Sequence, residues 1–195
     1  MKKVGILIVI ISLLSTMALR SHAEGLESSD SSEYLIKAGF IYNFAKLVEW
    51  PTTAFAQADS PIVIGILGDD PFGATLDRIV ADKKINGRGF AVKRLKWTKE
   101  LKDLRDCNIL FVSSSEKEHM DGVVDAIKWL PILTIGDVPG FARRGGIMNF
   151  TLEDNKIRFE VNVEAAKRAD LTISSRLLTL ARIVQQVAAD GRKPE

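Results

Sequence analysis

Two aspartates stand directly after apolar stretches that are typical of buried strands. Asp69 follows the run 62–67 and Asp137 follows the run 132–135, each with one glycine between. Both runs are short, uninterrupted and rich in β-branched residues, which predicts strands buried on both faces of a parallel sheet. Because the carboxyl ends of such strands converge on the crevice where α/β proteins bind ligands, we expect the two aspartates to face a shared site.

Serines and arginines complete this candidate ligand site. Ser113 and Ser114 follow a third apolar run, and Arg143 and Arg144 precede a pair of glycines. Hydroxyl and guanidinium groups would bind the polar or anionic parts of a small ligand. The same residue types also form turns and cap helices, so a purely structural role stays open for each. The expected ligand site consists of Asp69, Asp70, Ser113, Ser114, Asp137, Arg143 and Arg144.

The glycines around the first aspartate have the spacing of a phosphate-binding loop. Gly68 and Gly73 lie between a predicted strand and a predicted helix, as in the GxxxxGK[ST] motif. Ala74, however, replaces the lysine that would reach the β- and γ-phosphates, and Asp69 and Asp70 would repel them. The sequence therefore indicates an ordinary strand-to-helix turn here.

Cysteine and histidine are too few for several kinds of catalytic or metal centre. Cys107 is the only cysteine, so no disulfide can form within the chain and we expect it to be unpaired. His119 is the only histidine beyond residue 23. A structural zinc site needs about four cysteine or histidine ligands, and a catalytic triad needs a base beside a nucleophile. We therefore expect no catalytic residues, no metal site and no cofactor.

Predicted strands alternate with predicted helices over most of the chain. This rhythm favours an α/β fold with a mostly parallel, doubly wound sheet of the flavodoxin or Rossmann kind, with strand order 2-1-3-4. Two further strands, 147–151 and 156–161, flank a turn signal and predict a C-terminal β-hairpin added to the sheet. The four strands expected to form the parallel part are 62–67, 90–95, 107–112 and 132–135.

Helices at both ends of the domain are expected to flank the sheet. The first, 33–49, ends before Pro51 and carries more apolar residues than one buried stripe requires. The last begins at Ser174 or Ser175, and its apolar stripe runs to Val187. The surplus on the first helix is either covered by a neighbouring helix or left as a partner surface with aromatic anchors. The candidate contact residues are Tyr34, Phe40, Phe44, Trp50 and Phe141.

The first 23 residues have the features of a secretory signal peptide. Two lysines precede the apolar stretch 4–14, and small residues surround Ala23, after which we expect cleavage. The stretch is short for a membrane span, with a retained anchor as the alternative. Cleavage would leave 24 basic and 25 acidic residues, a net charge of −1 in place of +2, and nothing that points to nucleic-acid binding. We expect a flexible lead-in at 24–32, a single α/β domain at 33–189 and a tail at 190–195.

Six stretches, which cover most of the predicted domain in order, are similar to the YfiR family. The first two contain Lys37-Ala38-Gly-Phe40 with Trp50-Pro51, and Gly65-Ile-Leu-Gly-Asp-Asp-Pro-Phe-Gly73. The others are Cys107-Asn-Ile-Leu-Phe-Val112, Leu133-Thr-Ile-Gly-Asp137 with Gly140-Phe-Ala142, Asn155-Lys-Ile-Arg-Phe-Glu-Val-Asn162 and Ile173-Ser-Ser-Arg-Leu-Leu178.

The resemblance implies an exported protein of the bacterial periplasm that is not an enzyme. The best understood relatives bind the periplasmic sensor domain of a membrane-bound diguanylate cyclase and hold it inactive, which lowers cyclic di-GMP and biofilm formation. We therefore expect this chain to inhibit such a cyclase or a similar signalling protein. The alternative is a periplasmic receptor or subunit that binds a small ligand at the strand ends.

The resemblance also bears on cysteine chemistry and assembly. Some relatives form homodimers and carry disulfides linked to their activity. Cys107 lies at the start of a strand where such a cysteine can sit, but Gly65 occupies the position expected of its partner. A second cysteine pair is absent from the region 140–150. The family's redox control through an intrachain bond is therefore not expected in this chain.

Overall fold

The structure, a computed structural model, describes residues 32–98 and 100–187. The expected signal peptide, the lead-in up to residue 31 and the tail lie outside the described residues. In chain order the elements are α1 (32–47), β1 (Val48–Glu49), β2 (Ile62–Leu67), α2 (Ala74–Val80), β3 (Phe90–Leu95), β4 (Ile109–Val112), α3 (Met120–Ile127), β5 (Leu133–Gly136), β6 (Met148–Glu153), β7 (Lys156–Val161), α4 (Val163–Arg168), β8 (Thr172–Ile173), α5 (Ser175–Leu178) and β9 (Arg182–Ile183).

A seven-stranded sheet has the order β3-β2-β4-β5-β6-β7-β9. Its first four strands are parallel and confirm the predicted order 2-1-3-4. Leu67 of β2 pairs with Val112 of β4, which pairs with Gly136 of β5, so the carboxyl ends of these strands lie level. The predicted hairpin is also confirmed, because β6 and β7 are antiparallel from Met148–Val161 to Glu153–Lys156.

Side chains of the central strand β4 alternate between two hydrophobic cores, as the pleat of a strand requires. Ile109 and Phe111 join the core that α1, α2 and α4 cover, whereas Leu110 and Val112 join the core under α3. Both faces of the sheet are therefore buried, which explains why the strand sequences are continuously apolar rather than alternating.

The first helix ends earlier than its apolar pattern predicts. Residues 48 and 49 leave the helix and form β1, which pairs antiparallel with β8 through Val48–Ile173 and Glu49–Thr172. Pro51 follows, so extended backbone before it also suits the restriction that proline places on preceding residues. Within α1, Ala38, Ile41 and Ala45 are buried at helical spacing against the sheet.

The predicted C-terminal helix is wrong beyond its first turn. The helix α5 covers only Ser175–Leu178, after which β9 pairs in parallel with Glu160 and Val161 of β7. The N–H of Val184 continues this pairing by donating to Val161 O at 2.9 Å. Free hydrogen-bonding groups on the outer edge of β7 favour an extended segment, and the β-branched residues Ile183 and Val184 suit one.

Candidate functional site

The crevice at the carboxyl end of β5 is filled by the first helix. Lys37, only 3% exposed, donates from Nζ to both carboxylate oxygens of Asp137 at 2.7 and 2.8 Å. The hydroxyl of Tyr34 donates to the same carboxylate at 2.7 Å, and Glu33 also pairs with Lys37. The predicted site residue Asp137 is therefore neutralised and held by α1, which leaves little of its carboxylate for a ligand.

The other predicted residues at the strand ends make turn contacts. Asp70 Oδ1 accepts hydrogen bonds from the N–H groups of Phe72 and Gly73 at 2.8 and 3.2 Å. Ser113 Oγ accepts from the N–H of Ser115 at 3.4 Å, and Ser115 Oγ accepts from the N–H of Asp69 at 3.0 Å. Asp69 and Ser114 are exposed beside these turns. These contacts fit the structural alternative, and ligand binding by these four residues stays a prediction.

A separate cleft of about 370 Å³ opens between the loop after β5 and the hairpin. Arg143 lies here, in the 3-10 turn Ala142–Arg144, and its Nη2 donates to Glu160 Oε1 at 2.9 Å. Arg144 instead pairs with Asp121 in the first turn of α3 at 3.0 Å, so only one of the two predicted arginines belongs to this cleft. The cleft is lined by Asp137, Pro139, Gly140, Arg143, Asn149, Phe150, Thr151, Leu152 and Glu160.

Two polar side chains of this cleft have no hydrogen-bond partner in the described protein. Asn149 is 1% exposed, and neither its Oδ1 nor its Nδ2 is hydrogen-bonded. Thr151 Oγ1, two residues along the same strand face, is also buried without a partner. Each unsatisfied buried group costs about 1–3 kcal/mol, so such groups are rare in native proteins and call for a functional or structural reason.

Sequence reasoning missed three residues that shape these sites, although two of them left a signal. Lys37 is a charged residue one position before the buried stripe of α1, and Asn149 is a polar residue within an apolar strand. Glu160 lies in the second strand of the predicted hairpin, and it is buried in an ion pair with Arg143, which sequence does not reveal. For Lys37 and Glu160 the missing information was the identity of an ion-pair partner more than ten residues away.

An apolar groove of about 300 Å³ runs along the outer side of α1. Phe40, from the predicted contact set, lies in it and is half-buried. Leu180 at its edge is 67% exposed, and Ile36, one turn before Phe40, is 48% exposed. The groove is lined by Phe40, Asn43, Phe44, Lys46, Leu47, Phe159, Arg176, Leu177 and Leu180.

The predicted partner surface requires correction at two of its five residues. Phe141 is fully buried beneath α3, and Phe44 is 1% exposed between Phe150 and Phe159. Phe44 lies on the face of α1 that packs against the hairpin, which therefore covers it. The turn after β5 directs Phe141 into the core under α3. The remaining three, Tyr34, Phe40 and Trp50, are half-buried, with Trp50 Nε1 donating to the carbonyl of Asn108 at 3.2 Å.

Cys107 is buried beside Gly65, the position at which the family resemblance implied its partner. Burial raises the pKa of its thiol to about 11, against a smaller opposing effect of Lys93. A Cβ atom placed on Gly65 would lie 2.6 Å from Cys107 Sγ. The thiol is therefore protonated at neutral pH and shielded from reagents.

Within residues 32–98 and 100–187 no helix has the length and apolarity to cross a membrane. The same ranges contain no group of three or more histidine, cysteine, aspartate or glutamate side chains placed to hold a metal ion.

Comparison with known proteins gives one family match. A model of YfiR/HmsC-like proteins matches residues 34–182. A search of curated proteins finds no match. The matched range begins in α1 and ends at the first residue of β9, so it contains the groove and the cleft.

Proposed function

Because the chain belongs to the YfiR/HmsC-like family, we propose that it is an exported regulator that inhibits a membrane-bound diguanylate cyclase. Proteins of this family are periplasmic regulators of such cyclases rather than enzymes. The single observation that carries the proposal is the family match over residues 34–182. The signal-like residues 1–23 support export to the periplasm, where the sensor domain of the cyclase would be met.

Inhibition by binding has a thermodynamic condition. The regulator shifts its target toward the inactive state only if it binds that state more tightly than the active one. A shift of the cyclase from mostly active to mostly inactive requires a difference of several kcal/mol between the two affinities. The contact surface must therefore be specific, with well-packed apolar anchors.

We propose the apolar groove beside α1 as this contact surface. Ile36 and Phe40 lie four residues apart, so they share one face of the helix, and Leu180 faces the groove from the opposite wall. The exposed side chains of Lys46 and Arg176 form a basic rim. A complementary partner would present an apolar side chain flanked by acidic residues, since opposite charges at the rim raise the rate of association.

Affinity capture from solubilised membranes tests the proposal. Tagged residues 24–195 should retain a diguanylate cyclase, and the Leu180→Asp variant should retain far less of it. Trp129→Asp is the matched control, because Trp129 is 68% exposed but follows α3 on the other face of the sheet. Capture of no cyclase by the unmodified chain would refute the proposed function, whereas equal capture by all three proteins would refute only the groove.

A further inference from the structure

The outer face of α1 carries almost no charge, although a helix on a protein surface normally turns charged and polar residues toward water. Between Glu33 and Lys46 the only charged residue is Lys37, and its side chain is buried in ion pairs. Leu35 and Ile36, in contrast, are 53% and 48% exposed. The helix therefore has a second apolar face, turned away from the stripe that packs against the sheet.

Residues of this outer face recur with the spacing of a coiled-coil seam. The α1 seam, as we call it, consists of Ser32, Ile36, Gly39, Asn43 and Lys46. The intervals are four, three, four and three residues, which is the spacing of the a and d positions through which two helices pack. All five residues are exposed or half-buried. Asn43 occupies an a position, where a single asparagine fixes the register of paired helices.

Gly39, at the centre of the seam, is not required by the packing of the chain itself. A Cβ atom placed on it would meet no atom within 4 Å beyond the local helix in the part of the chain that the structure describes. Its backbone is right-handed helical, a conformation that alanine adopts with less loss of stability. Close approach of a second backbone is the remaining use of a glycine at such a position.

The surroundings of the seam define the chemistry of its partner. Asn43 and Lys46 also line the groove, so the seam and the groove form one continuous surface. Lys46 and Arg176 are exposed at this end, and neither has an ion-pair partner within the described residues. An acidic residue of the partner would complement them, whereas apolar side chains would pack on Leu35 and Ile36 at the other end.

Resting on the proposed function, we propose that the diguanylate cyclase presents an α-helix to the α1 seam, with a small residue opposite Gly39 and an acidic residue near Lys46. Two small residues at the contact allow helix axes to approach to about 8 Å, the short end of the usual range. A strand is a poorer occupant, because added strands bind through free backbone groups at a sheet edge, and the backbone groups in the middle of a helix are bonded internally.

Photo-crosslinking in the source bacterium tests the shape of the partner segment. In the full chain, p-benzoyl-L-phenylalanine replaces Ile36, Asn43 or Leu180 in turn, and mass spectrometry identifies the cross-linked residue of the cyclase after irradiation. Positions 36 and 43 are about 10 Å apart along α1. The cyclase residues that they cross-link should therefore lie about seven positions apart, as in a helix, rather than about three, as in a strand.

The three positions separate failure of this inference from failure of the proposed function. Cross-links to the cyclase from position 180 alone, or a spacing of about three residues, would overturn the helix and leave the proposed function standing. Cross-links from positions 36 and 43 to a second copy of this chain instead of a cyclase would also overturn it. If no position cross-links a cyclase, the proposed function is refuted and the helix with it.

The Gly39→Ala variant should change stability and binding in opposite directions. Alanine strengthens the helix, so the midpoint of thermal unfolding should rise by about 2–4 °C. The added methyl group would crowd the closest part of the contact, so capture of the cyclase by the tagged full chain should fall at least fivefold. Gly122→Ala is the matched control, because this exposed glycine lies in α3, which covers the other core, and capture should be unchanged. Equal capture by both variants would overturn the proposal.

Discussion

Buried asparagines differ in whether their hydrogen bonds are made, and this difference decides their effect on stability. Asn108 Oδ1 accepts from the N–H of Val63 at 2.9 Å, and its Nδ2 donates to the carbonyl of Ala54 at 3.0 Å. Asn149 is buried as deeply and makes neither kind of bond. Asn108 therefore stabilises the start of β2, whereas Asn149 is a cost to the fold.

Leucine substitutions at these two positions should have opposite consequences. Asn108→Leu should lower the free energy of unfolding by about 1–3 kcal/mol, because the N–H of Val63 and the carbonyl of Ala54 lose their partners. Asn149→Leu should leave the free energy of unfolding unchanged or raise it, because an unsatisfied group is removed. Urea unfolding measures both, and equal losses would contradict the assignment of hydrogen bonds.

The glycine opposite Cys107 makes a disulfide accessible by a single substitution. The 2.6 Å from a Cβ at position 65 to Cys107 Sγ is close to the roughly 3 Å found across a disulfide. The Gly65→Cys variant should oxidise to an intrachain bond that closes a loop of about forty residues and stabilises the fold by roughly 3–4 kcal/mol. Intact mass and thiol titration detect the bond. Two free thiols in the oxidised sample would show that the positions do not meet.

At the scale of elements, Lys37 ties α1 to the end of β5. Its buried ammonium contacts Glu33 and Asp137, whose side chains are 28% and 13% exposed. Lys37→Met should lower the free energy of unfolding by about 2–4 kcal/mol, because Asp137 would keep its charge without its cation. Combining it with Asp137→Asn should recover part of the loss. Lys46→Met is the control within the same helix, because Lys46 is exposed and its replacement should change the free energy of unfolding very little. An effect of Lys37→Met as small as that of Lys46→Met would refute this account.

Arg94 joins β3 to the loop and helix that follow β2. Its Nε donates to Asp70 and its Nη1 to Asp77, both at 2.9 Å, and its Nη2 donates to the carbonyl of Gly73 at 2.8 Å. The hydrogen bond from Arg94, assisted by its charge, lowers the pKa of Asp77 below its ordinary value. A lowered pKa means that the stabilising contribution is complete above the ordinary aspartate pKa and is lost as pH falls through the folded value.

Arg94→Met should therefore cost more stability at neutral pH than in acid. The groups are partly exposed and screened by solvent, so the expected loss at pH 7 is about 1 kcal/mol. The difference between the two proteins should shrink as the pH falls below about 3.9, the ordinary aspartate pKa. Urea unfolding at pH 7 and pH 3 measures it, with Lys167→Met as a surface-pair control. A difference that grows toward acid pH would contradict the sign.

The sequence predicts the position of a strand or helix correctly where its local apolar pattern and its tertiary pairing favour the same structure. The buried strands β2, β4 and β5 were predicted because a sheet covered on both faces needs continuous apolar runs. The C-terminal segment was not, because Val184 and Val187 fit a helical stripe as well as an extended edge. The choice depended on the free edge of β7, which local sequence does not describe.

At the scale of the whole molecule, the position of α1 determines which of the predicted site residues remain accessible. A strand-end crevice was expected from topology, but Lys37 and Tyr34 occupy its part at Asp137. The groove and the hairpin cleft arise from contacts between segments more than ten residues apart, and sequence periodicity carries no such information. Phe40 and Arg143 were nevertheless among the predicted residues, because surplus apolar and basic residues do indicate surfaces.

Cyclic di-GMP in cells of the source bacterium tests the central claim most directly. Deletion of the protein should raise cyclic di-GMP, and re-expression of the full chain should restore the original level. Re-expression of residues 24–195 should fail to restore it, because the proposed export to the periplasm would be lost. The Leu180→Asp variant should also fail, because the proposed contact groove would carry a charge. An unchanged level of cyclic di-GMP after deletion would contradict the claim that this protein inhibits a diguanylate cyclase.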